Sequence, residues 1–474
     1  MSSLSDLSAV DLGAGFASGA FTPVDVLEET LSRIELINPV LNAFVGLQPE
    51  TARTQAEESA ARWKRGQQLG PVDGITATIK DSMALAGWPT LKGSRQSDPA
   101  KVVHEDSPTA ARLKSAGAVI LGKTTCPEFA WKGTSDSPLT GVTRNPWDRG
   151  RTTGGSSSGA AAAAATGMGA LHPGTDGAGS VRMPAAFTGI FALKPTFSIV
   201  PIFPPSTGGL IAHVGPMTRT VSDAALMMEV IARPDDREIY PALGDDRPWL
   251  SGLDHGVAGV RIAYTPTWDG YPVRHDVAAA VDRAVQALEL AGAIVDRIDE
   301  PGITLHRHEF GVIWAALLSQ PLRHIPEAEW AHSDPGLVAE TRRGLSLSAS
   351  DLLDAEKARI TLMAQFRSLF TQHDLIISPQ MPCTALPVGS DIVSDPWAPD
   401  MAMQHWLDWS PFTYPLNLTR HPAASVPVGF GVDGLPVAMQ VMGRHFDDRL
   451  IMRTARTYER EHPFLLPRVE AVTL

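Results

Sequence analysis

The chain has 474 residues, 43% hydrophobic and 19% charged, with a formal net charge of −12 at pH 7. That length supports a large buried core, the composition is that of an ordinary globular protein, and the acidic balance argues against nucleic acid, whose phosphates select basic faces. Two cysteines, Cys126 and Cys383, are too few for a disulfide framework and fit a reducing cytoplasm; the N-terminus predicts no signal peptide, and no run reaches the roughly 18 apolar residues of a membrane span.

In chain order, Thr22 is an N-cap candidate before Pro23, and 23–37 predicts a helix that Asn38-Pro39 would stop. Residues 50–67 predict a second, polar helix. ITATIK (75–80) predicts a strand that ends in lysine. SPTAARLKSAG and then AVILGK predict a helix followed by a strand, the rhythm of an α/β unit. VSDAALMMEVIA (221–232) predicts an apolar helix capped by Ser222. VRIAYT (260–265), 275–292 and AIVDRI (293–298) repeat strand, helix, strand. Residues 348–372 predict a long helix, and DLIISP (374–379) a buried strand. AASVPVGF and LPVAMQVMG predict neighbouring strands joined at GVDG, and 447–461 a last helix. Proline-rich pieces at 201–205 and 379–387 predict surface turns. There is no internal repeat and no long low-complexity linker.

The stretch that needs explanation is GGSSSGAAAAAATGMGALHPGTDGAGSVR, residues 154–182. Its glycines let other groups approach the backbone closely. A flexible linker would not run directly into apolar FTGIFALKP or carry Asp176 and Arg182. A phosphate loop needs GxxxxGK[ST], and no lysine lies between Lys132 and Lys194. Gly155-Ser156-Ser157-Ser158-Gly159 matches the nucleophile-elbow pattern centred on Ser157. That pattern is weakly specific, and the preceding RNPWDRGRTTG is no buried strand. The remaining reading uses two serines and a lysine. A serine hydroxyl needs a base, a buried neutral lysine can serve, and a second serine can relay the proton. The developing oxyanion needs preorganised N–H donors, which Gly177-Ala178-Gly179-Ser180 could supply.

On these blocks the chain resembles the amidase signature family, serine hydrolases with a Ser-cisSer-Lys triad. The family's blocks read approximately GGSSGG, GTDxGGSIRxPA and GxxGxKPT; this sequence has GGSSSG, GTDGAGSVRMPA and GIFALKPT. The similarity also covers TIKD (78–81), LGKTTCPEF (121–129), TRNPW (143–147), GPMTRTVSDAA (215–225), ISPQMPCTALPVG (377–389) and 422–443, most of the chain outside about 230–370. Ordered, multi-block agreement of this kind is highly specific.

The resemblance implies a role for each matching residue. Lys80 is the general base, Ser156 the bridging serine and Ser180 the nucleophile. The N–H groups of Gly177, Ala178, Gly179 and Ser180 would bind the oxyanion. Asp176, Arg182 and Ser157 would hold these loops, and Ala130 and Trp131 would line the acyl pocket. Ser158 and Ala160 stand where glycine is frequent. Ala178 replaces the usual glycine of the oxyanion loop, which a Cβ tolerates only if φ stays negative. Arg420-His421 stand where small or neutral residues are more common; Arg420 could meet an anionic substrate, but reads better as a surface arginine.

Other candidates have plainer readings. His306 and His308 flank Arg307 near Glu309, without the HExxH spacing or a third ligand of a metal site, and read as a solvated helix face. Cys126 reads as a small buried residue in a turn. Of Trp131, Trp147, Trp314, Trp397, Trp406 and Trp409, only Trp131 has positional support for a pocket role.

The implied fold is an α/β/α sandwich, a central mixed twisted sheet surrounded by helices. One amidase domain would span 1–474, with N-terminal helices over about 1–68, a catalytic core over about 70–230 and a variable helical insertion over about 300–370. The implied activity is hydrolysis of a carboxylic amide, with a small-molecule amide as the partner, no metal or organic cofactor, no nucleic acid and no membrane; a homodimer is compatible. Two alternatives stay open: the amidase component of a tRNA-dependent amidotransferase, and a non-catalytic binding protein on the same fold. Which amide is cleaved is left undetermined.

Overall fold

The computed structural model describes residues 3–206, 208–242, 247–389, 403, 405–468 and 472. Helix α1 (Ala9–Ser18) is capped by Ser8. Helix α2 (Pro23–Leu41) starts in a capping box, Thr22 accepting from Asp25 N–H and Asp25 from Thr22 N–H. It does not stop at Asn38-Pro39. Pro39 lies in the last turn, where its missing N–H removes a single bond. The helix closes instead at Asn42, whose left-handed backbone (φ 56°) lets its N–H donate to the Asn38 carbonyl at 2.7 Å.

Next come β1 (Phe44–Leu47), α3 (Pro49–Arg65), β2 (Thr76–Lys80), α4 (Pro108–Ser115) and β3 (Val119–Thr124). In this three-stranded sheet β3 is central, antiparallel to β1 and parallel to β2. A short ribbon, β4 (Asp136–Ser137) with β5 (Gly141–Val142), precedes α5 (Ser158–Thr166), β6 (His172–Asp176), α6 (Arg182–Thr188), β7 (Phe191–Lys194) and β8 (His213–Thr218). Helix α7 (Val221–Ile231) is capped by Thr220, which accepts from Asp223 N–H, and not by the expected Ser222, which lies inside the first turn.

Strand β9 (Arg261–Tyr264), α8 (His275–Leu290) and β10 (Ile294–Arg297) follow the expected alternation. Helices α9 (Arg307–Leu322), α10 (Pro335–Ser346) and α11 (Ala349–Phe370) then lead to β11 (Leu375–Pro379). The chain ends through α12 (Pro415–Thr419), β12 (Ala423–Phe430), β13 (Pro436–Gly443) and α13 (Asp448–Glu461). The segment after β11 is no surface turn: residues 379–386 are buried, with Thr384 held by Arg274 and Asp433.

The large sheet has eight strands in the order β10-β9-β11-β13-β12-β7-β8-β6. The β9 contacts are parallel and the remaining ones antiparallel, so the sheet is mixed. Helices flank it, and the fold is the expected α/β/α arrangement. Apolar residues of β2, β6's approach, β7 and β13 share one core with α7 and α8. A second core, rich in aromatics, joins α6 to α9–α11 and the 406–418 segment. Among the described residues, no helix is long and apolar enough to cross a membrane.

Two features of this architecture place the site. First, β2 meets the β6 edge of the large sheet through a parallel bridge, Ala77 to Leu171, with Thr78 N–H donating to the Leu171 carbonyl at 3.0 Å. Parallel strands end at the same side, so Lys80 and Asp176 finish close together. Second, α5 is buried along its whole length, which its alanines allow. A Cβ on Gly159 would fall 2.1 Å from the Ala43 carbonyl oxygen and 2.5 Å from Thr125 N. Gly159→Ala is therefore expected to lower stability by about 1–3 kcal/mol, measured as a lower denaturant midpoint; an unchanged midpoint would contradict this packing.

Candidate active site

The lysine that closes β2 is fully buried. Its Nζ lies 2.9 Å from Ser156 Oγ, 3.0 Å from Ser157 Oγ and 2.8 Å from Thr175 Oγ1. Among the described residues no carboxylate comes within ion-pair distance of it. Asp81, next in sequence, turns the other way and pairs with Lys123 at 3.0 Å, both side chains buried. Burial pushes the Lys80 amine down to about 8, with more distant Cys126 and Asp176 opposing. At this value a substantial share of the amine is neutral near pH 8.

The serines reach the lysine through their places on the chain. Ser156 follows a cis peptide bond after Gly155, and Ser157 stands at the N-terminus of α5. Ser157 Oγ also bridges both backbone groups of Thr175, accepting from its N–H and donating to its carbonyl, each at 3.3 Å. Ser180 lies just before α6, and its carbonyl accepts the Ser157 N–H at 3.1 Å. Ser156, Thr175, Gly177, Ser180 and Ala130 line one cavity of about 50 Å³. The structure therefore brings together Lys80, Ser156, Ser157, Ser180, Gly177 and Ala130 of the expected site.

The loop between β6 and α6 is fixed by a buried ion pair. Arg182 contacts both oxygens of Asp176, Nε to Oδ2 at 2.9 Å and Nη2 to Oδ1 at 3.1 Å, with both side chains fully buried. Nη1 donates to Gln440 Oε1 and Nη2 also to Asn417 Oδ1, each at 2.7 Å. Burial alone would raise the Asp176 carboxyl; Arg182 outweighs it, helped by Lys194 and Asn417, and holds the group well below the usual carboxylate range.

This arrangement corrects the expected donor set. Gly179 N–H donates to Asp176 Oδ1 at 2.7 Å, so it is already engaged. Among the described residues, the N–H groups of Gly177, Ala178 and Ser180 donate to no protein acceptor. Gly179 has φ 114°, and a Cβ there would meet Thr413 Cβ at 2.5 Å, so glycine is needed for shape. Ala178 keeps a negative φ, as its Cβ requires, and its carbonyl accepts from Thr413 at 2.7 Å.

Trp131 does not line the cavity. Its ring packs onto α10, where a Cβ on Gly336 would lie 2.2 Å from Cη2, and it meets His405. The physical reason is the turn before it: Phe129 and Ala130 both take left-handed backbone, φ 48° and 60°, which aims Phe129 and Ala130 at the cavity and Trp131 behind it. Glu128 anchors that turn, accepting from Ser94 Oγ–H and from Asp334 N–H, both at 2.5 Å. Trp314 of α9 lines the cavity instead. Trp406 and Trp409 pack behind the site against Gly133, Trp147 is tied to Thr188, and Trp397 lies outside the described residues.

Arg420 is no free surface arginine: it is half-buried over the Phe197 ring, with Nε donating to the Leu210 carbonyl. His306 stands part-buried at the N-cap position of α9 in left-handed backbone, without a side-chain cap hydrogen bond, while His308 is exposed on the helix as expected. Among the described residues, no group of three or more His, Cys, Asp or Glu is placed to hold a metal ion. Cys126 is buried, and burial, reinforced by Asp81, pushes its thiol up to about 12. Thr175, Phe129, Leu317 and Leu318 were missed by sequence reasoning. Thr175 stands inside the GTDGAGS block and Phe129 closes LGKTTCPEF, where their neighbours' roles could have marked them; Leu317 and Leu318 carry no motif.

Breaking the buried ion pair gives a stability test. Asp176 contributes stability above the usual carboxylate range, lost as pH falls through its lowered value. Arg182→Met leaves that carboxylate buried and unpaired, an expected loss of about 3–5 kcal/mol at neutral pH. The deficit is expected to narrow as pH falls, since the unpaired buried carboxyl takes up a proton at a pH where the paired one stays ionised. Equal denaturant midpoints for the two proteins at pH 7 would contradict the assignment.

Known proteins resemble the chain over nearly its whole length. The family described as Amidase matches residues 25–452. An acylamidase of Rhodococcus erythropolis is 32% identical over 463 residues, covering 97% of this chain and 96% of the relative. The A-type subunit of the glutamyl-tRNA(Gln) amidotransferase of Symbiobacterium thermophilum is 35% identical over 489 residues, covering 96% of each chain. The crystal structure of a bacterial aryl acylamidase of the amidase signature enzymes superposes with a TM-score of 0.89 at 28% identity, covering 97% of this chain and 96% of that one. With a match of this extent over the segments that build the buried lysine–serine cluster, the chain belongs to the amidase signature family.

Proposed function

We propose that this chain hydrolyses carboxylic amides through an acyl-enzyme on Ser180. The observation that carries this reading is the buried Lys80 amine 2.9 Å from Ser156 Oγ, with no carboxylate beside it among the described residues. A neutral amine has two N–H donors and one lone pair. Donation to Ser157 and Thr175 occupies the two donors and turns the lone pair toward the Ser156 hydroxyl.

In this reading Ser180 Oγ attacks the amide carbonyl while its proton passes to Ser156, whose own proton passes to Lys80. The carbonyl oxygen becomes an oxyanion, held by N–H groups of the 177–180 loop, with Gly179 excluded because Asp176 engages it. Collapse of the tetrahedral intermediate breaks the C–N bond, and the proton returns through Ser156 to the departing nitrogen. Water then attacks the acyl-enzyme, giving its proton to the same relay, and the acid leaves. Asp176 and Arg182 act by fixing the loop, and Cys126, held as a thiol, takes no part.

Similarity to the amidotransferase relatives supports a second reading, release of ammonia within a larger assembly. Both readings share the chemistry at Ser180 and differ in the amide that enters. The shared step is tested by treating the pure protein with a small fluorophosphonate and mapping the modified peptide. Label on Ser180 is expected, absent in Ser180→Ala and slowed by about 100-fold or more in Lys80→Ala. Label on Ser157 instead would contradict the assignment and favour the elbow.

A further inference from the structure

Resting on that hydrolase reading, we infer that the substrate's acyl group is neutral and apolar, and that Trp314 and Leu317 of α9 select it. Trp314 stands over the 177 loop: a Cβ on Gly177 would lie 3.4 Å from its Cζ3. The ring is held from three sides. Its Nε1–H donates to the Trp131 carbonyl at 3.1 Å, Phe310 stacks on it at 5.8 Å between centroids, and Trp406 meets it edge-on at 5.5 Å. A ring so fixed is a preformed wall. Leu317 and Leu318 follow at i+3 and i+4, the same face of the helix, and line the same cavity with Phe129.

The charge around this cavity is as telling as its apolar wall. Among the described residues Asp176 is the only charged one that lines it, and its carboxylate is already taken by Arg182, Gly179 N–H and Asn417. The Arg420 guanidinium is held over Phe197 and on the Leu210 carbonyl, and does not line the cavity. An amino-acid amide such as glutamine would bring an ammonium and a carboxylate into this space and find no partner for either among the described residues. Unpaired buried charge is strongly disfavoured, whereas a hydrocarbon group would replace water against the side chains of Phe129, Trp314, Leu317 and Leu318. This selects against glutamine, and so between the two readings of the active site.

The test compares kcat/KM for primary amides, so that ammonia is the common leaving group and the acyl group alone varies. Hexanamide and benzamide are expected to exceed glutamine by about 100-fold or more. Leu317 is only half-buried at the rim, so Leu317→Arg should fold; it is expected to lower kcat/KM for hexanamide about tenfold and to raise that for glutaramate, which carries a carboxylate at its far end. Wild-type protein is labelled in parallel with methanesulfonyl fluoride, too small to need the apolar wall. Label on Ser180 together with glutamine cleaved as fast as hexanamide would overturn the apolar acyl group and leave the hydrolase standing. An unchanged hexanamide-to-glutaramate ratio in Leu317→Arg would overturn the role of α9. No label on Ser180 would overturn the hydrolase reading, and this inference with it.

Discussion

A primary amine held out of water, with no counter-ion beside it among the described residues, is the constraint on which the rest of the structure depends. Lys80 ends β2 in full burial, surrounded by three hydroxyl oxygens within 3.0 Å. A charged ammonium there would lose most of its hydration, so burial favours the neutral base. Any carboxylate brought to the same point would restore the charged form. The fold therefore has to keep two nearby aspartates electrically occupied elsewhere. Asp81 follows Lys80 directly and is matched by Lys123; Asp176 closes the neighbouring strand and is matched by Arg182. Each anion carries its own cation, and among the described residues the amine has only hydroxyl partners.

The same pairing sets the shape of the loop beside it. Asp176 uses its carboxylate on Arg182, on Asn417 and on the Gly179 N–H, which fixes the 177–180 segment while, among the described residues, the N–H groups of Gly177, Ala178 and Ser180 donate to no protein acceptor. Arg182 then reaches Gln440 on β13, so the loop is registered against the centre of the large sheet. Charge compensation and backbone geometry are in this sense one device. It also explains why the ion pair is wholly buried: solvent at Asp176 would loosen both the electrostatics and the loop.

The sequence made most of the elements legible because their signals are local. Lysine at the end of ITATIK and the strand–helix–strand rhythm after 260 both follow from period and composition. The misses have physical causes. Pro39 and Thr220 show that one residue of context decides where a helix ends or is capped. The block pattern marked Lys80, Ser156 and Ser180, yet it could not show that Gly179 N–H is consumed by Asp176, since that bond depends on the loop's closed form. Trp131 followed from position alone, but two consecutive left-handed residues before it reverse its direction. Trp314 could not be found by motif, because its place depends on how α9 packs over a loop more than a hundred residues earlier.

The central claim is that Lys80 works as a neutral base because burial lowers its affinity for a proton. The most direct test is the pH dependence of kcat/KM from pH 6 to 10 with a neutral primary amide, whose own ionisation does not change in that range. The account predicts a single rising limb centred near pH 8, since only the deprotonated amine can take the proton relayed by Ser156. A flat profile, or a limb displaced to about 10.4, the ordinary value of a solvated lysine, would contradict it.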